Sequence, residues 1–266
     1  MDIPVSRWHE VIPLRRSRRR FDSTELEPGV AQQLRALCAD FRPFAEVRSE
    51  LTTRSADDIL RGIAGSYGKV KGATALIAFV GNMDDPHVQE KLGYTGEGII
   101  LEATAMGLAT CWVGGFFRPG VAASVVGIAS NEKVLAVTPV GHAPEQLSLE
   151  ERSMTGFGRN HQRKPLSQLV SGLGPADWPQ WMKAGLEAAR PAPSAINRQP
   201  WRFHLEPDSI TVSADNARLD FFVSKRLDCG IAMLHIEVGA LSCGVRGKWQ
   251  LLPSPGVGRF TVAAAT

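Results

Sequence analysis

Two apolar, glycine-bearing segments of this chain read almost alike. "GIILEATAMGLATC" begins at Gly98 and "GIAMLHIEVGALSC" begins at Gly230, an offset of 132 residues in a chain of 266. In this register Gly98, Ile99, Gly107 and Cys111 meet Gly230, Ile231, Gly239 and Cys243, and Thr110 faces Ser242. Both segments are apolar, and the second is so almost all round, as a helix at the centre of a core must be. Composition alone can make two such helices alike, but an offset close to half the chain points to duplication of one unit.

The rest of the chain alternates helical and strand-like runs. Glu27 and Pro28 open an amphipathic helix, "PGVAQQLRALCADF". "GATALIAFVG", Gly72 to Gly81, is a nearly continuous apolar run and predicts a buried strand. A long helix follows through "DPHVQEKLGYTGEGIILEATAMGL", with Gly107 at its end or at a tight packing point. "KVLAVTPVGHAP", Lys133 to Pro144, predicts a second buried strand closed by a Gly/Pro loop. Residues 145 to 166 are polar, and Gly156 and Gly158 mark a flexible connection. The next helix runs through "PADWPQWMKAGLEAAR", with Asp177 as N-cap and Pro179 in the first turn, until Pro191 and Pro193 stop it. "WRFHLEPDSITVSAD" predicts two short strands around a Pro-Asp turn, ahead of the second apolar helix, "RLDCGIAMLHIEVGALSCG".

With 44% hydrophobic and 21% charged residues, the composition is that of a globular protein. No apolar run approaches the ~20 residues of a membrane helix, and the N-terminus is too polar for a signal peptide. No membrane partner is expected, and the cytoplasm is the simplest location. Cys38, Cys111, Cys229 and Cys243 are scattered, with no CxxC pair, and read as buried or half-buried thiols. The six histidines form no HxH or HExxH pattern, so no metal is expected. His235, inside an apolar helix, reads as a hydrogen-bonded core residue.

The net charge of +3 is unevenly spread: "RRSRRR", Arg15 to Arg20, holds five arginines in six residues. Such a cluster can bind nucleic acid or any phosphate, or it can be a solvated face. No aromatic interleaving or nucleic-acid motif accompanies it, and no nucleic-acid partner is expected. A second segment, "RPAPSAINRQPWRF" from Arg190 to Phe203, reads on its own as a proline-rich connector.

Together "RRSRRRF", "TCWVGGF", "AVTPVGHAPE", "QRKPLSQL" and "PSAINRQPW" resemble the FMN-dependent nitroreductase family. In its usual members the last signature lies soon after the arginine motif. Here it comes some 175 residues later, which is similar to the subgroup of fused halves, the TM nitroreductase type. The resemblance implies an α+β fold, with an antiparallel-rich mixed sheet, surrounding helices and two halves forming a pseudo-dimer in one chain. Residues 1–170 would be the first half and 171–266 the second, packed as one compact unit. Ordinary members dimerise, and each FMN site takes the arginine motif of one subunit and the Pro-Ser-x-x-Asn segment of the other. Fusion would complete one site within the chain. The reciprocal site looks lost, because "ADFRPFAEVRSE" and "SGLGPADWPQW" carry neither motif. One FMN per chain is therefore expected, in a monomer or a homodimer.

The resemblance also implies roles for residues. Arg15, Arg16, Ser17 and Arg19 would serve the phosphate, ribityl chain and ring, and Arg163 and Lys164 the phosphate; Arg18 and Arg20 would point away or form salt bridges. Guanidinium groups suit a phosphate because they chelate its oxygens in pairs. Trp112, Val113, Gly114 and Gly115 would bring backbone N–H groups to the flavin N5 edge, with the missing side chain of Gly114 leaving room for substrate. Lys69 is a candidate for the N1/O2 edge, where a cation favours the reduced flavin; a solvated lysine is the other reading. Pro193 and Ser194 would line the flavin face or ribityl chain, Asn197 would hydrogen-bond ring or ribityl atoms, and Gln199 would do likewise or tie down its loop. Pro200 and Trp201 would lock the turn and pack in the core. The implied activity is an NAD(P)H oxidoreductase in which FMN passes hydride or electrons to a small electron-poor acceptor, a nitroaromatic or quinone, by a ping-pong mechanism. A flavin-binding store or sensor with little turnover is the alternative.

Overall fold

The fold is that of a computed structural model, which describes residues 1–54, 56–60, 70–146, 151, 162–215 and 223–262. The first part of the chain contributes α1 (Val5–Val11), α2 (Pro28–Asp40), β1 (Val47–Thr52), α3 (Ala56–Leu60), β2 (Ala75–Asn82), α4 (Val88–Ala105), β3 (Ala109–Thr110), α5 (Pro119–Val126) and β4 (Glu132–Gly141). There follow α6 (Leu166–Leu169), β5 (Val170–Gly172), α7 (Gln180–Ala189), β6 (Trp201–Glu206), β7 (Ser209–Ala214), α8 (Lys225–Ser242), β8 (Gly247–Leu251) and β9 (Gly256–Val262). The polar connection with Gly156 and Gly158 lies outside the described residues.

Two sheets result, ordered β1-β2-β4-β3 and β5-β6-β7-β9-β8. The first is antiparallel throughout; in the second, β5 alone runs parallel to its neighbour β6. Without β5 the two have the same strand connectivity, each a helix, two strands, a long helix and two strands in chain order, with α3 and α5 added between the paired strands of the first. The antiparallel-rich α+β architecture is thus present as two like units.

β2 shows why its apolar run is continuous. Ala75, Ile77 and Phe79 face the main core, while Leu76, Ala78 and Val80 face a smaller cluster with Ile59, Leu60, Val134 and Val137. Both faces are covered, so the alternation of a half-exposed strand disappears. The main core runs from Trp8 and Phe41 through α4 and α8 to Trp201 and Phe260.

α4 and α8 each have 18 residues and pack against each other at the centre. A Cβ on Gly93 would run into the carbonyl oxygen of Leu227, and one on Gly230 into that of Glu90. These two contacts exchange under an offset of 137 (230 against 93, 227 against 90). Gly107 and Gly244, in the same register, follow their helices with φ of +79° and +75°. Both ends close alike: Gly107 and Leu108 donate to the carbonyls of Thr104 and Ala103, and Gly244 and Val245 to those of Leu241 and Ala240.

The register of 132 is therefore corrected to 137. Gly98 does not match Gly230 in space, for it packs on Phe41 and Trp8. Gly239 is not a helix end but a close contact between α8 and Ala184–Gly185 of α7. A second correction concerns Asp177. It lies in a 3-10 turn, Pro175–Asp177, and Pro179 occupies the cap position of α7. Trp178, preceding a proline, is extended (φ −69°, ψ 122°) and separates the two.

Candidate functional site

The arginine segment leaves α1 and runs beside the end of α4. Ser17 forms an isolated parallel bridge with Thr110, and the Arg18 N–H donates to the Thr110 carbonyl at 2.8 Å. A buried carboxylate shapes the next residues: Glu151 Oε1 accepts from the backbone N–H of Arg19 at 2.8 Å and of Arg20 at 3.3 Å. The same oxygen accepts from Arg18 Nε at 3.3 Å. Arg18 is thus in a salt bridge. Glu151 falls in the polar stretch 145–166, where no spacing signal distinguishes it.

Arg15 is different. Its side chain is only 6% exposed, and its Nε has no hydrogen-bond partner among the described residues. Among the described residues its ion-pair partner is Glu97, with Nε 3.8 Å from Oε1, a separation beyond hydrogen-bonding reach. Burial pushes its pKa below the usual arginine value, with Glu97 opposing the shift. Arg16 is exposed and donates to the carbonyls of Pro13 and Arg15.

Arg163 comes to the same place from far along the chain. Its pKa is pushed down to about 10, first by burial and then by the positive charges of Arg15 and Arg16. Its Nη1 donates to Asn197 Oδ1 at 2.6 Å and to the Ala192 carbonyl at 3.0 Å. The fold thus gathers Arg15, Arg16, Arg163 and Asn197 around one concentration of positive charge.

The loop bearing Asn197 is held in a strained shape. Ile196, Asn197 and Gln199 all have positive φ, at 51°, 55° and 48°. A β-branched residue there is a true outlier and persists only when its surroundings over-determine it. Asp228 at the start of α8 accepts from the Ala195 N–H at 3.1 Å and from Arg198 Nε at 2.7 Å. Ser194 Oγ accepts from the Gln199 N–H at 3.0 Å. Gln199 is buried; it donates to the carbonyls of Gln162 and Asn197 and accepts from the Lys164 N–H, so it ties the loop down. Lys164 Nζ donates to the carbonyls of Arg198 and Gln199 at 2.9 and 3.0 Å and does not join the arginines. Pro193 and Trp201 are buried.

Among the flavin-edge candidates, Trp112 turns its indole N–H to Glu97 Oε2 at 2.7 Å and packs on Phe79. Val113 exchanges both backbone bonds with Val137 at 2.9 Å, which removes its N–H from any ligand. The N–H groups of Gly114 and Gly115 have no partner among the described residues. The room expected beside Gly114 is taken: a Cβ there would lie 2.9 Å from the Val223 side chain. Lys69 lies outside the described residues. Cys38, Cys111 and Cys229 are buried and Cys243 partly so; burial pushes the Cys38 thiol up to about 12. Among the described residues no group of three or more His, Cys, Asp or Glu side chains could hold a metal ion.

The loop from α2 to β1 is the counterpart, in the first unit, of the loop bearing Asn197. Beside it lies a polar cleft of about 290 Å³ lined by Arg42, Glu46, Arg48, Asn82, Asn131 and Glu132 among others. There Arg48 is already paired with Glu132 at 2.9 Å and holds that carboxyl down at about 2.

The family described as "Putative TM nitroreductase" matches residues 8–240, and the chain belongs to it. The "putative nitroreductase" of Thermotoga maritima MSB8 superposes with a TM-score of 0.65 at 18% identity, over 96% of this chain and 93% of that one. A nitroreductase family protein of Clostridium difficile 630 aligns with 61% of this chain and 96% of its own, at 19% identity and a TM-score of 0.46. A nitroreductase with bound FMN from Bacteroides fragilis NCTC 9343 aligns with 53% of this chain and 91% of its own, at 17% identity and a TM-score of 0.43. No curated protein matches the chain.

Proposed function

We propose that the chain is an FMN-dependent NAD(P)H oxidoreductase of the nitroreductase type, acting on a small electron-poor acceptor by a ping-pong mechanism. The observation that carries this reading is Arg15, a buried guanidinium with no hydrogen bond from its Nε, beside the half-satisfied Arg163. Buried cations of this kind need an anion, and a phosphate of charge near −2 fits two convergent guanidinium groups. Arg15 and Arg163 would hold the phosphate, with Arg16 adding charge from the solvent side. Asn197, oriented by Arg163, would meet the ribityl chain or ring, and the N–H groups of Gly114 and Gly115 would face the flavin edge. When bound, FMN supplies the redox chemistry, taking hydride from the nicotinamide and giving electrons to the acceptor.

The test is to purify the protein, record its visible spectrum and add NADH or NADPH without oxygen. A bound flavin that bleaches within the turnover time of an added quinone or nitroaromatic is the expected result. A colourless protein that FMN cannot reconstitute would overturn the reading. The packing of Val223 against Gly114 favours a second reading, a flavin store or sensor, since it narrows the space an acceptor would use. Yellow protein that reduced nicotinamide barely bleaches would support that alternative.

A further inference from the structure

Glu97 of α4 and His235 of α8 meet between the two central helices, and both are fully buried. His235 Nδ1 lies 2.7 Å from the Ala188 carbonyl oxygen, and Nε2 lies 3.0 Å from Glu97 Oε1. A carbonyl oxygen only accepts, so Nδ1 carries a proton. The contact between Nε2 and the carboxyl group needs one more proton, held by one or the other. Whichever atom holds it, the pair is neutral as a unit: imidazolium with carboxylate, or imidazole with carboxylic acid. The Trp112 indole N–H completes Glu97 at 2.7 Å without adding charge. Arg15 stands 3.8 Å away, near enough to feel a bare carboxylate and too far to bond it.

We propose that His235 cancels the charge of Glu97 and thereby leaves the charge of Arg15 available to an anion bound beside it. His235 is then a positioning residue: it touches no ligand, yet through α8 the second unit governs the anion affinity of an arginine in the first. Without the imidazole, Glu97 keeps an uncancelled charge 3.8 Å from Arg15, and closing that gap would pair them and quench the site. The inference rests on the flavin reading above, with the FMN phosphate as the anion.

FMN and riboflavin share ring and ribityl chain and differ in the phosphate, so together they separate charge from packing. The flavin-free wild type, H235L and H235L/E97Q would each be titrated with both at pH 8. H235L should bind FMN at least about tenfold more weakly, while riboflavin affinity moves by less than about threefold. Removing the uncancelled carboxylate in H235L/E97Q should return FMN affinity to within about threefold of wild type. Unchanged FMN binding by H235L, a loss shared equally by both flavins, or no recovery in the double variant would each overturn the proposal. A wild type that binds no FMN would overturn the flavin reading with it; a wild type that binds FMN while the variants depart from this pattern overturns this proposal alone.

Discussion

Arg15 brings five N–H donors into a place where water is largely excluded, and its Nε finds no acceptor. Evolution does not keep such a group for stability, because a buried, unsatisfied polar atom costs about 1–3 kcal/mol. Arg15→Met should therefore stabilise the flavin-free protein by about 1–3 kcal/mol in thermal or urea unfolding. The same variant should weaken FMN binding by about ten- to a hundredfold, the worth of one or two charge-assisted hydrogen bonds. A destabilised flavin-free variant would show that Arg15 supports the fold instead. Legibility at this scale was uneven. The arginine cluster and the Pro-Ser-x-x-Asn segment stand out because their residue types are crowded and unusual. Glu151 and Asp228, which orient those segments, do not stand out, because a single acidic residue in a helix or polar stretch has no local signature.

The central helices show what local pattern can and cannot give. Their apolar sequences correctly place both at the core, since a helix wetted on no face needs no polar stripe. Their mutual register could not be read in the same way. At an offset of 132 four identities align, and at 137 Gly93, Ile99, Ala103 and Gly107 match Gly230, Ile236, Ala240 and Gly244, again four. What chooses between them is the crossing, where Gly93 and Gly230 let each helix lie against the other's backbone. Gly230→Ala would drive a Cβ into the Glu90 carbonyl and should cost about 1–3 kcal/mol or more, read as a lowered unfolding midpoint. Gly29→Ala in α2 meets nothing within 4 Å and should be neutral or stabilising by up to about 1 kcal/mol. Equal effects of the two would refute the close crossing.

Across the whole molecule, two units of like connectivity do not make two like sites. The gathered arginines lie where the N-terminal segment, Arg163 and the Asn197 loop converge. At the counterpart loop, Arg48 is already neutralised by Glu132 and Glu50. One FMN per chain is the expected stoichiometry, measured as flavin absorbance against protein concentration after saturation and gel filtration. A ratio near two would overturn it.

Buried strands follow from continuous apolar runs and a central helix from the lack of a polar face, both readable in the chain itself, whereas the arginines crowded near the N-terminus leave a phosphate site and a solvated face equally open. Even the late place of Pro193–Asn197 was legible as a sign of fusion. Pairings between distant segments come into view only in the folded chain. Folding turned Trp112 and Val113 inward, put Val223 beside Gly114, and set His235 against Glu97. The physical reason is that periodicity fixes which face of an element is buried, whereas the side chain it meets depends on where two backbones cross. Here that crossing rests on two glycines 137 residues apart, and it sets His235 of one helix against Glu97 of the other.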